Sequence, residues 1–274
     1  MLTTYCYNFF IKEKFMKRNI LSLALFGALT LPNISSALTV GGVTWDPNSI
    51  FDFGMQATVW ETEANQIGDT VTFYGSVAQI NGVTNFVTPG SELTYYGTYK
   101  LLDTGLFDLG NNLDLVFGNA VMEFFYDTTS DFNAANAATA QDGTSWLTLI
   151  GHNFDYWGAS ALAGSIFSEL SGGFDISHIG DTGEGFGAWD VSGGPAGSFL
   201  DTNTIANING FGLSPTNADF TFSASFQPST APPLLIGTAE LVGTSSVPEP
   251  ASLLLLSIGL IGASVANKKY KRYL

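Results

Sequence analysis

Between Phe220 and Gln227 the chain alternates without a break. Phe220, Phe222, Ala224 and Phe226 hold one parity; Thr221, Ser223, Ser225 and Gln227 hold the other. Successive side chains of a strand point to opposite faces, so a period of two describes a strand with one buried face. The period recurs. Val71, Phe73 and Val77 alternate with Thr72, Tyr74 and Ser76, and Leu113, Leu115 and Phe117 with Asp114 and Val116. Further strands are expected over Leu93–Leu102, Val121–Tyr126, Trp146–Ile150 and Leu235–Val242. Asn81-Gly82 reads as a type I′ hairpin turn into a strand Val83–Thr88, because both central residues of that turn need positive φ. Gly118-Asn119 reads as another turn. Helix is scarce: Ala159–Leu170 is the best candidate, and Asp131–Ala140 reads as a helical turn or a loop. Short strands at intervals of about 8 to 12 residues predict an all-β fold, a single β-sandwich or jelly roll over residues 38–242.

Charge narrows the partners. Residues 38–247 hold 22 acidic side chains against one basic, Lys100, a net charge of about −21. Nucleic acid is excluded, because binding it requires Lys and Arg to neutralise phosphate. An anionic polysaccharide would need a bridging cation. With one basic residue there is little scope for salt bridges, so stability must come from apolar burial and backbone hydrogen bonds. The chain supplies 22 Phe, 10 Tyr and 5 Trp for that burial.

The two ends read as targeting segments. Lys17 and Arg18 precede the apolar stretch Ile20–Leu31, and Ser35-Ser36-Ala37 offers small residues for cleavage after Ala37. That order is a secretory signal peptide, with Met16 as the expected start within residues 1–37. The single cysteine, Cys6, lies in this leader, so the exported body has no thiol for a disulfide or metal site. At the other end, a short linker is expected over 243–247. Pro248-Glu249-Pro250 follows, then the uncharged run Ala251–Ala266, then Lys268, Lys269, Lys271 and Arg272. Sixteen helical residues span about 24 Å against a hydrocarbon core of about 30 Å, so the run reads as a short transmembrane helix held by its basic end.

This tail over 248–274 resembles the PEP-CTERM sorting signal. The resemblance implies recognition and processing by exosortase, transient residence in the inner membrane, and a final place at the cell surface or outside it. It also implies association with exopolysaccharide, biofilm and floc formation. The body weakly resembles flocculation-associated members in its Gly/Phe-rich segment from Gly185 to Leu213 and the strand after it.

No catalytic motif stands out. His152 and His178 form no metal-ligand pair, although His152 has Asp155 nearby. Carboxylate pairs for glycoside chemistry are too numerous to single one out; Glu123 and Glu169 are expected at the surface. Oxygen donors gather at Asp103, Asp108 and Asp114, and again at Asp181 and Glu184, both suited to Ca2+ in ligand type. Trp157 and Trp189 are the candidates for stacking on a sugar. The favoured reading is a non-enzymatic exported matrix protein. The alternative is a secreted polysaccharide-degrading or -modifying enzyme on a jelly-roll scaffold.

Overall fold

A computed structural model describes residues 37–49, 52–104, 113–152, 154–155, 163–164, 166–170, 182–205, 217–229, 235–246 and 258–260. The expected signal segment, the Pro-Glu-Pro motif and the basic end lie outside the described residues. So does the expected transmembrane run, apart from a helical turn at Ile258–Leu260. Among the described residues no helix is long and apolar enough to cross a membrane.

The body is all-β, and it is a closed antiparallel barrel rather than a sandwich. The wall runs β3 (Phe53–Glu61), β4 (Thr70–Ile80), β5 (Glu92–Thr104), β6 (Leu113–Asp127), and on the other side β13 (Leu235–Gly243), β12 (Phe220–Pro228), β11 (Gly183–Gly193). Two short strands, β7 (Thr144–Gly151) and β10 (Ile166–Leu170), close the gap between β6 and β11. β10 pairs with Leu113–Phe117 and Gly183–Gly187, whereas β7 pairs with Val121–Tyr126 and Trp189–Gly193. They share the eighth position of the barrel, one above the other. β8 (Phe154–Asp155) and β9 (Ala163–Gly164) pair with each other in the excursion between them. Closure removes the unpaired edges that a sandwich leaves.

Three sequence expectations are corrected here. Gly118-Asn119 is no turn: β6 runs straight through it, with Asn119 at φ 51° and a register shift opposite β5. That is a bulge, and bulges supply the bending that lets a long strand follow a barrel. The Asn81-Gly82 turn forms, with φ 52° and 74°, but Val83–Thr88 is no strand; it makes single bridges from Val83 to Ile80 and Val87 to Val43. Asn81 instead clasps the turn to the chain, its amide donating to the Asp46 and Asp52 carbonyls and its Oδ1 accepting from Gly54 N–H. The described part of Ala159–Leu170 is strand, β9 and β10, because the open slot between β6 and β11 offers a ladder that a glycine-interrupted helix cannot match. Asp131–Ala140 does hold a helical turn, a 3-10 helix at Ala137–Ala140 capped by Asn136.

The interior is divided between two kinds of wall. Inward positions of β4 to β6 carry Phe73, Tyr95, Tyr99, Phe117 and Phe124. Inward positions of β11 to β13 mix small residues, Gly185, Ala224, Gly237 and Ala239, with Trp189, Phe220, Phe222 and Phe226. Glycines seat the rings: a Cβ on Gly97 would strike the Phe73 ring, and one on Gly75 the Tyr95 ring. One end of the barrel is plugged by the hairpin of β1 (Leu38–Val40) and β2 (Val43–Trp45). Trp45 meets Phe53 at 5.8 Å and Trp146 at 6.0 Å, edge to face, and Trp146 donates to the Val40 carbonyl. The same end holds Gly243. Beyond it Ser245 hydroxyl donates to Asp52 and Ser246 N–H to the Phe199 carbonyl, so the stretch expected as a linker is bound to the barrel up to Ser246.

Candidate functional site

Glu61 lies at the end of β3 on the parity of Phe53, Met55, Ala57 and Val59, so the pleat carries its carboxyl into the barrel. It is 5% exposed. Tyr99 Oη donates to its Oε1 at 2.7 Å. Lys100, the body's one Lys or Arg, is exposed on the outward parity of β5. Burial therefore pushes the Glu61 carboxyl up to about 7, with the Tyr99 hydrogen bond pulling the other way. Burial, then the Glu61 charge, pushes the Tyr95 and Tyr99 hydroxyls well above their ordinary value. Tyr95 Oη donates to the Thr58 carbonyl at 2.7 Å. Nothing in the charge count singled out Glu61. Its parity with four apolar residues was the available signal.

Beside Tyr95 the wall leaves a small gap with room for little more than one water molecule, partly open to solvent. Met55, Ala57, Met122, Phe124, Phe222 and Ala239 line it.

Trp189 points inward from β11 and is fully buried, packed on Phe73 at 6.3 Å and edge-on to Phe222 at 6.4 Å. It is unavailable for stacking on a sugar, which corrects that expectation; Trp157 lies outside the described residues. The indole N–H groups of Trp45 and Trp189 are buried without a hydrogen-bond partner.

The histidine expected beside Asp155 has another carboxylate on it. His152 Nδ1 donates to both oxygens of Asp190, at 2.7 and 2.8 Å, where β7 runs beside β11. Burial raises the Asp190 carboxyl, and the His152 hydrogen bond opposes that rise. Asp219, 1% exposed, accepts from the backbone N–H of Val191, Thr202 and Asn203, which ties the β11–β12 connection to the barrel end. His178 lies outside the described residues.

The expected calcium ligands are described only in part. Asp108 and Asp181 lie outside the described residues. Asp103 Oδ1 accepts from Thr104 N–H at 2.6 Å, and Glu184 is exposed. Asp114 and Glu184 do fall in one cross-strand row, since Glu169 of β10 is in register with both. A different trio comes together at the plugged end: carboxylate oxygens of Asp127, Asp131 and Asp142 lie within 4.8 Å of one another. Glu92 beneath them accepts from the backbone N–H of Asp131 and Phe132 and is raised mainly by burial. Such oxygen donors suit a hard cation. Asp142 lies across a loop from Asp127, so spacing gave no sign of it. Glu123 is half-buried on the outward parity of β6, as expected for a surface carboxylate.

Ser246 is held at the plugged end by the Phe199 carbonyl. From residue 246 to 269 the chain matches the family model described as the PEP-CTERM protein-sorting motif. The tail is a PEP-CTERM sorting signal. The signal makes the protein an exosortase substrate, exported and sorted at the membrane before surface display. No curated protein and no solved structure matches the PEP-CTERM chain. In it the sorting signal leaves from the same barrel end that carries Leu38, the first strand residue.

Proposed function

We propose that this PEP-CTERM protein is a non-enzymatic component of the extracellular matrix, acting with exopolysaccharide in biofilm or floc formation. The observation that carries this reading is the sorting signal on a body of charge about −21. The signal delivers the protein to the surface. The charge then limits how it meets an anionic polymer: like charges repel unless a divalent cation bridges them. Ca2+ is the cation of this proposal, and the exposed carboxylates are its ligands.

The anchoring geometry supports the same reading. The described chain reaches the sorting signal at the plugged end, through Ser246. After processing, the compact barrel is free to enter the matrix. A strain lacking the protein is expected to form fewer polysaccharide-containing aggregates, restored by the intact gene. A calcium chelator is expected to disperse the restored aggregates. Aggregation unchanged by deletion would end this reading, and aggregation unchanged by excess chelator would end the bridging part of it.

A further inference from the structure

We infer that the outer wall of the barrel carries a binding platform for neutral pyranose residues of a polysaccharide, centred on Trp60 and Tyr96. The site rests on the matrix reading for the source of its ligand, but it needs no cation. One cross-strand row makes it. Ile236, Trp60, Tyr74, Tyr96 and Glu123 lie in register on the neighbouring strands β13, β3, β4, β5 and β6. Each stands between inward-facing neighbours, so all of them point outward. Around the row the outward positions are polar: Gln56, Thr58, Thr72, Thr98 and Thr238.

Three polar groups of the row are left unused by the fold. Among the described tyrosines, Tyr74, Tyr95, Tyr99 and Tyr126 donate their hydroxyls to the protein, and Tyr96 does not. Among the described residues the Tyr96 ring also meets no other ring, and neither the Trp60 indole N–H nor the Glu123 carboxylate has a partner. Trp60, Tyr96 and Glu123 are half-buried, so part of each stays open to solvent. Tyr74 between them is closed over. It is 5% exposed, its hydroxyl donates to the Ala134 carbonyl, and Phe132 lies edge-on to it at 6.5 Å. Phe132 also leans on Trp60 at 5.3 Å, with its N–H held by Glu92. The loop after β6 thus braces the platform before a ligand arrives, which lowers the ordering cost of binding.

The row selects its ligand. A pyranose has an apolar C–H face and a rim of hydroxyls, and an aromatic ring with a polar edge meets both. The Trp60 N–H and Tyr96 O–H would donate to sugar oxygens, and Glu123 would accept from sugar hydroxyls. Adjacent strands lie about 4.8 Å apart, so Trp60 and Tyr96, two strands apart, are separated by about 10 Å along the wall. That separation lets the two rings meet different residues of one sugar chain. No basic side chain stands in the row. Glu123 and the acidic body around it repel a carboxylate, so the sugar that stacks here is uncharged.

The test mixes the exported protein with polysaccharide from the producing organism, divided by anion exchange into neutral and acidic fractions. In excess chelator the neutral fraction is expected to retain the parent in affinity electrophoresis. Trp60→Ala and Tyr96→Ala are each expected to weaken that retention about tenfold. Tyr96 gives the fold no hydrogen bond and no ring contact, so Tyr96→Ala should melt like the parent. Should Trp60→Ala, which loses the Phe132 contact, not fold, Tyr96→Ala decides alone. The inference is overturned if the neutral fraction does not retain the parent, or if Tyr96→Ala is retained like the parent. It is also overturned if protease treatment of the fraction abolishes retention, which would place a protein on this face. Retention of the acidic fraction alone, only with calcium and unchanged by either substitution, would end this site and leave the matrix reading standing. Retention of neither fraction, with or without calcium, would end both.

Discussion

The tail and the barrel carry their information in opposite ways. The tail is read by an enzyme as a linear string, so motif, apolar run and basic end sit together within residues 248–272. The barrel is specified by positions scattered over some two hundred residues, whose only shared property is parity. The tail matches a family model and the barrel matches no curated protein or solved structure. What the difference teaches is that a local signal fixes where this protein goes, while a distributed pattern fixes a shape without naming a task.

If the two regions are independent, each is breakable without harm to the other. The largest effect belongs to the tail. Replacing Pro248, Glu249 and Pro250 by alanine is expected to leave the protein in the inner membrane with its tail attached, by fractionation and mass. The barrel's thermal stability should not change. Release and trimming of that variant as in the parent would contradict the assignment.

Next is Phe124→Ala on the aromatic wall. Phe124 contacts Tyr95 at 5.6 Å and Trp146 at 6.4 Å, and truncation is expected to lower unfolding free energy by about 4 kcal/mol in denaturant titration. Gly97→Ala drives a Cβ at the Phe73 ring and the Val121 carbonyl, and should lower it by about 2 kcal/mol.

Glu61→Gln has a pH-dependent sign. The folded carboxyl sits near 7 and the unfolded one near 4.5, so the native state holds the proton more tightly. Stability is whole below 4.5, falls as pH rises through that window, and stays reduced above 7. On the order of 3 kcal/mol is lost in full by pH 8. Gln keeps the interaction with Tyr99 without a charge. The variant should match the parent at pH 4.5 and exceed it by about 3 kcal/mol at pH 8 in urea titrations at both values. The smallest effect is Ala239→Leu, expected to lower stability by about 1 kcal/mol, because the gap beside half-buried Ala239 holds the added carbons only in part.

The strand content was legible because parity is local: Phe220–Gln227 and Val71–Val77 needed no knowledge of their neighbours. Closure was not, because it depends on pairings between distant segments. Nothing in Ile166–Leu170 announces that it lies below β7 in one shared position. The Gly118-Asn119 pair was misjudged for the same reason. A left-handed Asn serves a turn and a bulge equally, and only the continuing β5–β6 ladder decides. Trp189 was misplaced because a glycine-rich strand gives no local sign of which face is buried; Trp189 shares the inward parity of Gly185 and Gly187. The Asp127, Asp131 and Asp142 trio needed the fold, since a loop returns Asp142 to the end of β6.

The measurement that tests the functional account most directly mixes the exported protein with polysaccharide from the producing organism. Co-sedimentation and polymer size are followed together, with and without calcium. Protein retained on polymer of unchanged length, more so with calcium, is the predicted result. Shortened polymer, or no retention under either condition, would contradict a non-enzymatic matrix role.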